Sequence, residues 1–176
     1  MTKKNRLQLL QILMAVGIVL LDQVTKVWAL NTLKTGGDIT VIPGVFYLSY
    51  ATNNGAAWSM FAGQRALLLL VSAGALILML WLLKKNYIDT NLGRFSIYMV
   101  MGGAFGNLID RALRTDGRVI DLFDFRLIHF PIFNVADVFI CVGGGLFALY
   151  TIRTMLREYR GDQAAAEEQD DGEDKQ

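Results

Sequence analysis

Cysteine, histidine and metal-holding clusters are almost missing from this sequence. Its single cysteine, Cys141, excludes an internal disulfide framework, and its place in an apolar run reads as a buried, inert thiol. The single histidine, His129, has no partner acid or suitably placed nucleophile and reads as a loop residue. There is no serine nucleophile with a histidine partner, no HExxH, no Cys/His cluster and no glycine-rich phosphate loop. Serine-hydrolase, zinc-hydrolase and nucleotide-phosphate chemistry therefore lack their residues. Charge is missing too, over four long stretches: Leu7–Leu21, Ala66–Leu83, Phe95–Ile109 and Val138–Ile152. None of these runs shows a polar face, which argues against a soluble helical bundle.

What is present is apolar length. The 176 residues are 53% hydrophobic, with a mean hydropathy of +0.37. Crossing a bilayer takes about 20 apolar residues. Four stretches come close to or reach that length, at about residues 7–28, 66–83, 95–111 and 134–153. The first, third and fourth reach full length only by taking in ionisable residues at one end. The expected fold is mainly α, a polytopic membrane protein with four transmembrane helices. A small extracytoplasmic β-sheet and a short interfacial helix are expected between the spans. Asp38–Ile42 and Val45–Thr52 read as strands around a Pro43-Gly44 turn, and Ala56–Phe61 as the short amphipathic helix. The first span has a basic start but no small-residue cleavage site after it, so it reads as uncleaved.

The net charge of +1 hides an uneven distribution. Seven acids fall in residues 161–176, against Lys175. The remainder carries 16 basic and 9 acidic residues, a net of +7 that suits a body among anionic lipids. Residues 1–160 read as one membrane-embedded domain and 161–176 as a disordered acidic cytoplasmic tail. Basic residues flanking the spans (Lys3, Lys4 and Arg6; Lys84, Lys85 and Arg94; Arg153, Arg157 and Arg160) place both termini and the 84–94 loop in the cytoplasm.

That topology brings polar residues from three spans to one depth, at the outer face. Asp22 and Lys26 lie at the end of span one, Asn107, Asp110 and Arg111 at the end of span three, and Asn134 and Asp137 at the start of span four. Ionisable groups there are costly unless paired or facing a wet cavity. Asp22 and Lys26, four apart, form an intrahelical ion pair or order the loops above a site. Asn53 shapes a turn at Asn53-Asn54-Gly55 or points its amide at a substrate backbone. Asp110 and Arg111 read as loop-fixing residues. Gly102 and Gly106 permit close helix approach.

Two acids stand out. Strand alternation over Arg118–Arg126 puts Asp121 among Val119, Phe123 and Phe125, where its charged form is disfavoured. The same alternation puts Asp124 on the other face, able to pair with Arg126. Asp137 falls in the first turn of span four, where a helix dipole favours it, with Asn134 as a candidate N-cap. Two neighbouring carboxylates can share one proton. One then activates water, while the other donates to a carbonyl oxygen and later to the leaving amine. That is aspartic peptidase chemistry, which needs no metal or cofactor. The aromatic residues from Phe123 to Phe133 would keep the pair partly dry and rest on lipid.

The ordered motifs DQxTK (Asp22–Lys26), NxGAA (Asn53–Ala57), GGAxGNxxDR (Gly102–Arg111), VxD (Val119–Asp121) and FNxAD (Phe133–Asp137) resemble those of bacterial lipoprotein signal peptidase, signal peptidase II. The resemblance covers roughly residues 10 to 155. It implies a four-span aspartic endopeptidase of the bacterial inner membrane. Such enzymes cut the signal peptide from prolipoproteins just before a diacylglyceryl-modified cysteine. Carried over by position, the catalytic pair falls on Asp121 and Asp137. The supporting or substrate-binding positions fall on Asp22, Lys26, Asn53, Gly106, Asn107, Asp110, Arg111, Asn134 and Ala136. The implied partners are a lipid-modified prolipoprotein, membrane lipids and globomycin-type inhibitors, with no nucleic acid, metal or cofactor. Trp58 departs from the phenylalanine usual after GAA, and the Arg111–Asp121 segment is slightly longer than is common. The competing functions are a proton- or ion-coupled transporter, which would place acids deep in the spans, and a non-enzymatic lipid-binding scaffold.

Overall fold

The computed structural model describes the backbone of residues 2–173. Met1, residues 174–176 at the end of the acidic segment, and the side chains of 162 and 164–176 lie outside the described residues. The chain is mainly helical, with one small sheet. Helix α1 spans Lys3–Gly36, α2 Arg65–Lys84, α3 Asn91–Leu113 and α4 Val135–Glu173. Strands β1 (Ile39–Ile42), β2 (Phe46–Asn53) and β3 (Val119–Phe125) form an antiparallel sheet in the order β1-β2-β3.

Local sequence sets the helix ends. Thr2 Oγ1 accepts from Asn5 N at 3.3 Å, and Thr90 Oγ1 accepts from Gly93 N at 3.1 Å, each capping orphan donors of a first turn. Helix α1 ends at Gly37, whose φ of 82° suits glycine and whose N–H returns to the Leu33 carbonyl. Among the described residues, three helices are long and apolar enough to cross a membrane: α1, α2 and the Val135–Gly161 part of α4. Their outward faces carry exposed apolar side chains, such as Leu20, Leu70, Ile77 and Met155. Such faces match a lipid environment and not water.

Helix α3 is the central helix, packed against α1, α2 and α4. Its glycines make this possible. A Cβ on Gly102 would meet the Ala15 carbonyl of α1 at 3.0 Å, and one on Gly103 would collide with the Ala136 carbonyl of α4. Burial on several sides also explains why α3 can end in Asn107, Asp110 and Arg111: these residues turn inward and not toward lipid.

The expected strands around Pro43-Gly44 form, paired from Ile39↔Leu48 to Ile42↔Phe46. Strand β2 pairs with β3 from Phe46↔Phe125 to Asn53↔Val119, with a bulge between Leu48 and Ala51. Ile120 and Leu122 on β3 pack on Ala29 and Leu33 of α1, clamping the sheet to that helix end. Asp124, as the alternation implied, accepts from Arg126 Nε at 2.6 Å and also from Ser49 at 3.1 Å.

Two sequence expectations need correction. The short interfacial helix over Ala56–Phe61 reduces to one 3-10 turn, Ala57–Ser59. Trp58, Ser59 and Phe61 all have positive φ, which α-helical continuation does not allow. Cys141 is not buried: it is exposed on a cavity wall, because its face of α4 turns away from α3.

Candidate active site

Asp121 lies on β3 and Asp137 on α4, and the loop between them returns along β3 through a single bridge, Phe123↔Phe133. The backbone N–H groups of Leu122 and Phe123 both donate to the Phe133 carbonyl, at 2.9 and 2.8 Å, and Phe133 N donates back to Phe123 at 3.1 Å. The loop after β3 therefore folds back along the strand. It delivers Asn134 and the start of α4 beside Asp121.

Helix α4 opens with a reciprocal cap. Asn134 Oδ1 accepts from Asp137 N at 3.0 Å, and Asp137 Oδ2 accepts from Asn134 N at 3.2 Å. The Asn134 amide has a second task. Its Nδ2 lies 2.6 Å from Asp121 Oδ1 and 3.2 Å from Asn107 Oδ1. Asn107 in turn donates through Nδ2 to Asp137 Oδ1 at 2.8 Å. Two carboxamides thus bridge the carboxylates, and each acid is held in a fixed orientation.

Behind them lies a buried charge cluster. Lys26 Nζ reaches Asp22 at 2.8 Å, Asp110 at 3.1 Å and Asn107 Oδ1 at 2.9 Å. Lys26 and Asp22 are both wholly buried. Asp22 Oδ1 accepts from Ala136 N at 2.9 Å, satisfying a free N–H in the first turn of α4. Asp110 Oδ2 accepts from Ile120 N at 3.2 Å, one residue before Asp121. So Asp22 positions α4 while Asp110 positions β3, and Lys26 compensates both. Gly106 leaves the room: a Cβ there would stand 2.5 Å from Asp22 Oδ2.

Arg111 Nη2 donates to the Gly55 carbonyl at 2.7 Å, tying the turn after β2 to α3. Asn53 shapes that turn, accepting from Gly55 N at 2.8 Å and donating to the Ala56 carbonyl at 3.2 Å. Two contributors escaped the reading of the sequence. Gln23 Nε2 touches Asp22, Gly106 O and Asp110 within 3.2 Å, and its place inside the DQxTK motif was the available signal. Arg65 counted only as a loop charge. Its guanidinium donates to Arg111 O at 2.7 Å and to Ala112 and Arg114 carbonyls at 3.0 and 3.2 Å, organising the end of α3 and the turn after it.

Both aspartates line a cavity of about 640 Å³. Its walls are mostly apolar: Leu68 and Val71 from α2, Ala104 from α3, Ile140 and Val142 from α4. Asn53, Asn107 and Arg111 supply polar points beside the acids. Trp58 and Phe130 meet edge-to-face at 6.1 Å on the same cavity, and Phe130 and Phe133 meet likewise at 5.7 Å. Burial, and next the Asp137 charge, push the Asp121 carboxyl up to about 7, although Asn134, Lys26 and Arg111 pull it down. Among the described residues, no group of three or more His, Cys, Asp or Glu side chains could hold a metal ion.

A family model described as "Signal peptidase (SPase) II" matches residues 14–153. The chain belongs to the signal peptidase II family. It is 37% identical over 144 residues to a lipoprotein signal peptidase of Clostridioides difficile, covering 82% of this chain and 95% of that one. It is 40% identical over 146 residues to one from Symbiobacterium thermophilum, covering 82% and 95%. A relative from Trichormus variabilis is 39% identical over 122 residues, covering 69% and 76%. Two solved structures, each described as a bacterial membrane enzyme determined by the in meso method, share the fold. The first has a TM-score of 0.76 at 33% identity, over 82% of this chain and 88% of that one. The second has a TM-score of 0.71 at 34% identity, over 80% and 91%.

Proposed function

We propose that this member of the signal peptidase II family is an aspartic endopeptidase. It removes signal peptides from diacylglyceryl-modified prolipoproteins, cutting before the lipidated cysteine. The observation that carries the reading is the pair Asp121 and Asp137, tied through Asn134 and Asn107 at the polar end of an otherwise apolar cavity. An upward-shifted Asp121 beside a second carboxylate favours one shared proton near neutral pH. The deprotonated member takes a proton from water as that water attacks the scissile carbonyl. The protonated member donates to the carbonyl oxygen. On collapse the leaving amine takes a proton, the C–N bond breaks, and the pair returns to one proton. The dyad titrates as a unit, so acid and base labels belong to the pair.

The apolar walls between α2, α3 and α4 suit the acyl chains and the apolar signal segment of such a substrate. In this reading the protein sits in the bacterial inner membrane with four spans, and the aspartates lie at the extracytoplasmic face. Helix α3 serves as the fourth span, its polar end sheltered by its neighbours. Asp22, Lys26, Gly106, Asp110, Arg111 and Ala136 hold the site's geometry, while Asn53 and Asn107 stand where a substrate backbone would pass.

The test is cleavage of a diacylglyceryl-modified precursor peptide by purified protein, with the products identified by mass. Wild type is expected to cut before the modified cysteine. Asp121→Asn and Asp137→Asn should each lose at least a thousandfold in rate while keeping wild-type circular dichroism. Full activity of either single variant would sink the proposal.

A further inference from the structure

The far end of the bundle carries a second polar site that the peptidase reading does not use. Gln11 sits on α1, 11 residues before Asp22, which is about 16 Å along the helix axis. It is 1% exposed, and among the described residues neither its Oε1 nor its Nε2 has a hydrogen-bond partner. Buried carboxamides are normally satisfied, so an orphaned donor and acceptor on one side chain is a signal for a ligand.

Gln11 and buried Ile88 form the floor of a cavity of about 310 Å³. Lys4 and Arg94 supply two cations at its wall, and Asn86 and Asn91 supply carboxamides. Asn91 is also the first residue of α3, so the positive end of that helix faces the same space. Asp89 lies on the wall too, its carboxylate accepting from Tyr150 at 3.2 Å. The site therefore offers two cations for a phosphate. It also offers one carboxylate and several amides for hydroxyl groups.

We propose that this cavity binds the headgroup of an anionic glycerophospholipid: the phosphodiester on Lys4 and Arg94, the headgroup hydroxyls on Asp89 and the Gln11 carboxamide. A lipid is favoured over a soluble phosphate ester by position. The cavity opens where α1 and α3 begin, at the end of a bundle whose outer helix faces carry exposed apolar side chains, beside which acyl chains would lie. Clustered basic residues at that level of a membrane protein suit anionic headgroups. The proposal rests on the membrane embedding inferred above but not on the chemistry of the aspartates.

Native mass spectrometry of the detergent-purified protein tests it, with phosphatidylglycerol and phosphatidylcholine of equal chain length as probes. Wild type should retain phosphatidylglycerol at least tenfold more than phosphatidylcholine. Arg94→Gln, which removes a cation, and Gln11→Leu, which keeps the bulk of the floor but removes its polar atoms, should each lower that preference at least fivefold. Asp121→Asn should retain phosphatidylglycerol as wild type does, even though it is cleavage-dead. Equal retention of the two lipids by wild type, or an undiminished preference in Gln11→Leu, overturns the proposal. Displacement of bound lipid by millimolar glycerol 3-phosphate would assign the site to soluble phosphate esters and overturn the lipid reading. Wild-type thermal unfolding of Arg94→Gln guards against a trivial loss through misfolding. Gln11→Glu, which keeps the size and adds a like charge, gives a second route to the same loss.

Discussion

Asn134 donates to Asp121 at 2.6 Å while its own backbone N–H and side-chain oxygen hold Asp137 at 3.2 and 3.0 Å. One asparagine therefore sets the position of both acids. Its place immediately before α4 is what allows this, since an N-cap side chain points back across the first turn.

The upward shift of Asp121 makes stability depend on pH in a definite direction. Its carboxyl is raised from 3.8 to about 7 in the folded protein. Below pH 3.8 both folded and unfolded chains hold this proton, and it contributes nothing to the balance. Between the two values the folded chain keeps a proton that the unfolded chain releases, so folding stability falls as pH rises. Asp121→Asn removes this slope. Thermal unfolding in detergent should show the variant gaining on wild type from pH 5 to pH 8; a gain equal at both would refute the shift. In wild type, cleavage should decline on the alkaline side as the shared proton is lost near pH 7.

Lys26 reaches both Asp22 and Asp110, at 2.8 and 3.1 Å. Lys26→Met leaves buried Asp22 without a cation and Asp110 with Arg114 alone, at 3.3 Å, and should cost about 3–5 kcal/mol, the typical loss on breaking a buried pair. Denaturant unfolding measures this. Adding Asp22→Asn to Lys26→Met should recover part of the loss, because one unpaired charge goes with it.

Gly106→Ala forces a methyl to 2.5 Å from Asp22 Oδ2, whereas a Cβ at Gly144 meets nothing within 4 Å. Overpacking of this kind costs about 1–3 kcal/mol. Gly106→Ala should therefore lower the unfolding temperature and the cleavage rate together, as the Asp22 link to Ala136 is displaced. Gly144→Ala should match or slightly exceed wild-type stability, since alanine is the better helix former.

Cys141 lies one helical turn after Asp137, exposed on the wall of the same cavity. Methyl methanethiosulfonate should modify it and slow cleavage at least tenfold by filling the groove. Cys141→Ala should remain active and resist the reagent. Modified wild-type protein of unchanged activity would show that substrate does not use this wall.

Much of the site was legible in the sequence because its residues obey local rules. Alternation along β3 separated Asp121 from Asp124, and the span reading brought Asn107 and Asp110 to the level of Lys26 and Asp137, which they contact. Residues whose task is long-range were not legible. Arg65 looks like any basic residue before a span until its guanidinium is seen gathering the carbonyls at the end of α3. Gln11 looks like a polar interruption in an apolar run, and Cys141 read as buried because periodicity cannot say which face of α4 meets α3 and which meets the cavity. The 3-10 turn at Ala57–Ser59 depends on positive φ at non-glycine residues, which local propensity argues against.

The sequence by itself determined the long apolar helices, the strands around Pro43-Gly44 and the two acids worth attention, since hydrophobic run length, turn chemistry and alternation are local properties. Only the tertiary structure decided that Asp121 and Asp137, 16 positions apart, are bridged by Asn134 and Asn107. It alone decided that Asp22 and Asp110 each anchor a different element. The reason is that buried carboxylates and backbone N–H groups must find partners wherever the chain places them, and in this fold those partners come from other helices and strands.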